Sequence, residues 1–364
     1  MGSACVCSKA QVNLSSCRPE HSQKSSSCTS LASYQPSTKP WAKVLEIYSS
    51  TSDPIKSFSV HNSKKFKNLL ISGPPAQFRW SAWKSALNYS PIQIPTLEIS
   101  AYYLSLIEQD VPRTFPFHEF FQQNETLEAL KEVLINTARL NPALGYTQGM
   151  NFVAGVFLLV SNKNVFESSG MMHVFLNNFE GKGLFEPGFP RLSELTKQFS
   201  IDFKKKLPNL FGWFKDIQMD SNLWLTKWFM TLFAYSFDIE IVVRFWDLIF
   251  ANGLDSMLNI SVSVLSALKK KLMTKGLIEA LEFLKGVKSS KIDFEAVIAI
   301  SKIGLNSRLY KDSLFKETEI SDGLSDSDVE IQLESSNNRR FSFGVFSKSK
   351  SKAISSHRKS VNIN

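Results

Sequence analysis

Cysteine is confined to one end of this chain. Cys5, Cys7, Cys17 and Cys28 are its only four, and none lies beyond residue 28. A folded body built from the rest can therefore hold neither a disulfide nor a thiolate metal site, which fits a reducing compartment. The five histidines, His21, His61, His118, His173 and His357, are scattered, with no HExxH pair. There is no G-x-S-x-G elbow and no GxxxxGK[ST] phosphate loop. Metal hydrolysis, serine nucleophiles and nucleotide binding by this chain alone lose their usual machinery. The longest apolar run, "FVAGVFLLV", falls far short of the roughly 20 residues that span a bilayer, and the first residues lack an apolar signal core. Short alternating runs joined by Asn-Gly or Asp-Gly are nearly absent too, which argues against sheet.

Positive charge is in excess, at a formal +9 over 364 residues, but unevenly placed. Residues 1–40 carry four Lys/Arg and one acid; residues 317–336 carry seven acids and no base; residues 337–364 carry seven Lys/Arg and no acid. The last two blocks cancel, so the middle is only mildly basic. With no zinc-finger spacing and no ribonucleoprotein-type aromatic motif, nucleic acid is not an expected partner. The basic block suits either plain solvation or an anionic membrane surface.

What is present is a large apolar middle, in a chain that is 43% hydrophobic and 12% aromatic. Residues 1–40 and 306–364 are Ser-rich and read as disordered tails, too polar to offset ordering entropy. Residues 41–65 lead into a body over 66–305. That body reads as all-α. In "NETLEALKEVLINTARLNP", Leu127, Leu130, Leu134 and Ala138 recur at helical spacing, with Asn124 as N-cap and a stop before Pro142. "SNLWLTKWFMTLFAYSF" reads as one buried helix, and "IVVRFWDLIFANG" as a helix closed by Gly253. "SMLNISVSVLSALKKKLM" reads as amphipathic with a basic end. In "RFWDLIF", Phe245, Trp246, Ile249 and Phe250 read as core, and Arg244 with Asp247 as a surface or structural pair.

Two loops carry polar groups that packing alone does not demand. In "LIEQDVPRTFPF" a helix ends near Asp110, and Arg113 then sits on a turn between Pro112 and Pro116. A guanidinium held there is poised for an oxyanion; equally, it can pair with Asp110 and close the turn. In "GYTQGM", Gly145 and Gly149 permit unusual backbone at the mouth of the most apolar helix. Gln148 there can hold a water or a partner's backbone, or simply cap the helix.

Taken together, I-x-x-D-x-x-R-T at 107–114 and G-Y-x-Q-G-M-N at 145–151 resemble the TBC domain, the GTPase-activating domain for Rab-type small GTPases. "SGPPAQFRWSAW", with Gly73-Pro74, Arg79 and Trp83, is similar to that family's entry motif. "LFEPGFPRL", "KKLPNLFGWF" and "WFMTLFAYSFDIEIVVRFWDLIFANG" follow in family order. Pro75 and Thr147 depart from the usual residues. The resemblance, over 66–305, implies a TBC-type helical fold and a GTPase activator rather than an enzyme in its own right. It implies that Arg113 is an arginine finger and Gln148 a glutamine supplied in trans to orient the attacking water. Asp110 and Thr114 would support the finger; Tyr146, Gly149 and Asn151 would shape the glutamine loop and meet the GTPase. The partner would be a Rab-family GTPase bringing its own GTP and Mg²⁺, so no cofactor and no metal site are expected in this chain. A non-catalytic, membrane-anchored Rab-binding scaffold is the alternative.

"MGSACVCSK" places Gly2 behind Met1 with Cys5 and Cys7 nearby. Val6 stands where the myristoylation pattern prefers Ser or Thr. The stretch nonetheless resembles the acylated termini of plant-type calcium-dependent kinases. Myristate on Gly2 and palmitate on Cys5 or Cys7 are the expected modifications, giving a cytoplasmic protein held peripherally on an intracellular or plasma membrane. "RRFS" and "HRKS" make Ser342 and Ser360 candidate phosphorylation sites.

Overall fold

A computed structural model describes residues 37–287, 293–294, 296–299 and 301. It is helical, with no strand among the described residues and one isolated bridge, Phe237 to Val287. Three helices open the fold: α1 (Lys39–Ile47), α2 (Pro54–His61) and α3 (Ser63–Ser72). Then come α4 (Ala76–Ala86), α5 (Ala101–Asp110), α6 (Asn124–Leu140), α7 (Met150–Val160) and α8 (Val165–Asn178). The series closes with α9 (Pro190–Lys206), α10 (Pro208–Asp216), α11 (Asn222–Met230), α12 (Ile239–Asn252), α13 (Ser256–Leu272) and α14 (Leu277–Lys285). Trp41, Val44, Ile55 and Phe58 are buried in the same core as Phe66, so residues 41–65 add two helices, α1 and α2, to the packing of the body.

At the centre lies α7. Every side chain from Met150 to Leu158 is buried, as its composition requires, and α4, α6 and α8 pack around it. Phe157 meets Trp246 edge-on at 5.1 Å and stacks on Phe250 at 6.0 Å, while Trp83 lies 5.5 Å from Trp246. Aromatic pairs of this kind stabilise by about 0.5–1.5 kcal/mol beyond their burial. They make α7 a stiff mount for whatever its N-terminus carries.

Three details differ from the sequence reading. Asn124 is the first helical residue of α6; Gln123 occupies the cap position and makes no side-chain cap bond, though the helix does stop before Pro142. The apolar stretch from Asn222 is helical only to Met230. There Thr231 donates its hydroxyl to the Lys227 carbonyl and accepts from the Tyr235 N–H, and Leu232 and Phe233 turn left-handed at φ 48° and 70°. Such backbone costs of order 1–3 kcal/mol per residue. It is offset by full burial of both side chains and by the Trp246 indole, which donates to the Leu232 carbonyl at 2.9 Å. Thirdly, α13 is buried on all sides from Ser256 to Leu265 and turns amphipathic only toward its lysine-rich end.

Gly253 closes α12 at φ 90°, donating its N–H to the Ile249 carbonyl at 2.7 Å, and Phe245, Trp246, Ile249 and Phe250 are core. Arg244 and Asp247 are a buried structural pair, not a surface one. Asp247 accepts from Arg244 at 2.6 Å, from Arg79 of α4 at 3.3 and 3.4 Å, and from the Trp83 indole at 2.8 Å. Arg244 also donates to the Ser72 carbonyl, and its guanidinium fills the space a Cβ at Gly73 would need, 2.2 Å away. Arg79 and Trp83 of "SGPPAQFRWSAW" and Arg244 and Asp247 of "RFWDLIF" are thus two halves of one ionic knot.

Candidate functional site: an arginine and a glutamine on one carboxylate

Asp110 ends α5, and the chain tightens into a 3₁₀ turn over Val111–Arg113. Pro112 suits this position, because the first turn of a helix has no use for its missing N–H. The turn brings Arg113 back onto the Asp110 carboxylate as an ion pair, with the guanidinium one-third exposed (33%) and Asp110 buried. Thr114 then runs extended, and its hydroxyl donates to the Asp110 carbonyl at 2.8 Å.

The second loop arrives at the same carboxylate. Gly145 holds φ 65° with the Tyr103 ring where a Cβ would sit, only 2.2 Å away, so glycine is required both for backbone and for space. Tyr146 is buried and donates its phenol to Asp110 Oδ2. Gln148 Nε2 donates to Asp110 Oδ1 at 3.4 Å, a long and readily released bond. Gly149, at φ 108°, precedes α7, and its N–H is accepted by Asn151 Oδ1 at 3.0 Å. The Asn151 amide turns to the other loop and donates to Thr114 Oγ1 at 2.8 Å. Asp110, Arg113, Thr114, Tyr146, Gln148, Gly149 and Asn151 therefore belong to one connected polar network.

Of the alternatives left open above, the Arg113–Asp110 pair is formed, whereas Gln148 is not a helix cap: α7 has no side-chain cap bond at its N-terminus. Burial above all, and then the Asp110 charge, push the Tyr146 phenol well above its usual range, with Arg113 partly opposing. The phenol stays protonated and serves Asp110 as a fixed donor. Among the described residues no group of three His, Cys, Asp or Glu side chains is placed to hold a metal ion.

Several supporting residues carry no motif in the sequence. Phe115, at φ 48°, lays its ring in a notch on α7 where a Cβ at Gly155 would stand 2.9 Å from the ring and 3.3 Å from the Thr114 methyl. Phe152 and Phe121 flank that ring at 5.3 and 5.1 Å. A glycine inside so apolar a helix was the available signal of close approach. Beside Gly149 stand Phe185 and Met230, and Thr147 donates to the Phe185 carbonyl at 3.2 Å. Gly2, Cys5, Cys7, Ser342 and Ser360 lie outside the described residues. No helix among the described residues is long and apolar enough to cross a membrane.

The Rab-GTPase-TBC domain family matches the chain over residues 76–273. The chain is 29% identical over 221 residues to the GTPase-activating protein GYP5 of Saccharomyces cerevisiae, covering 59% of this chain and 24% of that protein. It is 26% identical over 265 residues to the Rab GTPase-activating protein eat-17 of Caenorhabditis elegans, covering 69% and 30%. The chain thus spans less than a third of either relative. Among solved structures it resembles the Ypt/Rab-GAP domain of Gyp1p, with TM-score 0.59, 18% identity and coverage of 68% and 94%. The Chlamydomonas flagellar RabGAP TBC domain gives TM-score 0.56, 20% identity and coverage of 73% and 95%.

Proposed function

We propose that this chain, which belongs to the Rab-GTPase-TBC domain family, accelerates GTP hydrolysis by a Rab-family GTPase, and that Arg113 and Gln148 do the work. The observation that carries the reading is the shared anchor: both side chains are held by the Asp110 carboxylate at the mouth of a buried, stiff helix. Phosphoryl transfer asks the protein for positioning and charge stabilisation rather than for a nucleophile. A guanidinium carries five N–H donors, so it can keep a hold on Asp110 while presenting others to the charge that builds on the transferring phosphoryl group. Gln148 offers a donor and an acceptor to the attacking water, in place of the GTPase's own glutamine. An arginine supplied in trans is worth roughly 10³–10⁵ in rate, or about 4–7 kcal/mol. GTP and Mg²⁺ come with the GTPase, and this chain performs no independent catalysis. A mere Rab-binding scaffold would have no use for a carboxylate that orients both groups.

The test is single-turnover GTP hydrolysis by a panel of purified Rab proteins with and without the full chain. At least one should hydrolyse about a thousandfold faster; a panel that binds the chain without acceleration would favour the scaffold.

Shortening the life of GTP-bound Rab would regulate vesicle traffic from a membrane surface, and the first residues supply a means of attachment. One myristoyl chain gives only marginal binding, an association constant of roughly 10⁴ M⁻¹, so palmitate on Cys5 or Cys7 would be the second signal. Both Gly2→Ala and the Cys5→Ser/Cys7→Ser double variant are expected to leave the membrane fraction. Equal partitioning of all three proteins, or an unmodified N-terminal peptide by mass spectrometry, contradicts acylation without touching the catalytic reading.

A further inference from the structure

Phe117 is 94% exposed, more than any other large apolar side chain among the described residues. It is not a dangling residue. On one side the Phe115 ring is wedged into the Gly155 notch; on the other Phe121 is buried. The turn between them is closed by the His118 N–H bonded to the Phe115 carbonyl at 3.0 Å, and by the His118 ring accepting from the Phe120 N–H at 3.2 Å. Phe117 therefore stands at the tip of the same braced loop that presents Arg113.

We propose that Phe117 is an apolar anchor for the GTPase, seated against apolar side chains that flank the GTPase's nucleotide site. The proposal rests on the GTPase-activating reading and adds the residue that sets affinity for the partner. Geometry selects the occupant. Phe117 lies four positions after Arg113, so their Cα atoms are at most about 14 Å apart. A standard protein interface covers about 800 Å² per partner, the area of a disc roughly 16 Å in radius. A GTPase that takes Arg113 into its active site near the centre of its footprint therefore brings its surface over the backbone that carries Phe117. Aromatic side chains are enriched at interface cores, and a phenyl ring, with only two χ angles, loses little entropy on docking.

The test is the dependence of single-turnover hydrolysis on the concentration of the full chain, using the most responsive Rab of the panel. Phe117→Ser is expected to raise the half-saturating concentration tenfold or more while leaving the saturating rate within about twofold. Phe117→Leu, which keeps an apolar group, should stay within about threefold of wild type on both. The side chain packs on almost nothing, so the thermal midpoint should not move. Unchanged half-saturation in an active, folded Phe117→Ser overturns the proposal alone, and so does a loss confined to the saturating rate. Unchanged half-saturation together with lost self-association or lost binding to anionic vesicles would assign Phe117 to a second copy or to lipid instead. If wild type accelerates no Rab, the parent reading and this one fall together.

Discussion

Replacing Arg113 with alanine is expected to reduce stimulated GTP hydrolysis at least a hundredfold, with the fold intact. The size follows from the role: a charge that meets the transition state directly is worth roughly 10³–10⁵ in rate. The fold should survive because the guanidinium is one-third exposed and Asp110 keeps its bonds from Tyr146 and Gln148. The lost pair should cost only a charge-assisted hydrogen bond, about 1.5–3 kcal/mol at most. Arg113→Lys should recover little. An ammonium is a point charge and cannot hold the Asp110 carboxylate and a phosphoryl oxygen with one rigid fork. Single-turnover rates on a responsive Rab, with thermal unfolding as the control for folding, decide the matter. Near-normal rates in either soluble variant remove Arg113 from the mechanism.

The largest loss of stability is expected elsewhere, at Asp247. This carboxylate is fully buried and answers two guanidiniums, Arg79 and Arg244, and the Trp83 indole. Asp247→Ala takes the Asp247 charge away from both arginines, each only 11% exposed at the side chain. Breaking a buried pair by removing one partner costs about 3–5 kcal/mol. At about 2–4 °C per kcal/mol for a domain of this size, the thermal midpoint should drop by roughly 6–20 °C. Asp247→Asn can still accept from Trp83 but lacks the charge, so it should recover only part of the loss. Urea unfolding of the three proteins measures this. A difference under about 1 kcal/mol for Asp247→Ala would mean that the knot contributes specificity rather than stability.

The helical body was legible because its signals are local. The spacing of Leu127, Leu130, Leu134 and Ala138 and the glycine after Asn252 each specify structure within a few residues. The extent of α11 was not legible. Thr231 through Phe233 look like good helix, and only the tertiary gain of burying Leu232 and Phe233 and tying Trp246 to the Leu232 carbonyl makes left-handed backbone worthwhile there. The site shows the same division. Arg113 and Gln148 stand out in their motifs, but that they meet on Asp110 is a contact between loops 38 residues apart for Gln148. The burial of Arg244 and Asp247 is not legible in "RFWDLIF", because their third partner, Arg79, lies 168 residues from Asp247. Gly155 sits inside an apolar run, where nothing local says that Phe115 needs the room.

If Gln148 acts in trans, beside Arg113 on one carboxylate, the Rab's own switch glutamine is dispensable for stimulated hydrolysis. A responsive Rab is prepared with its own switch glutamine changed to leucine, and its GTP hydrolysis is followed with the full chain and with the Gln148→Ala variant. Wild type should still accelerate the leucine Rab substantially, because the water-orienting amide comes from this chain, and Gln148→Ala should abolish that acceleration. A chain that activates the unmodified Rab but leaves the leucine Rab at its unstimulated rate would rule out Gln148 in trans and assign the water to the GTPase's own glutamine.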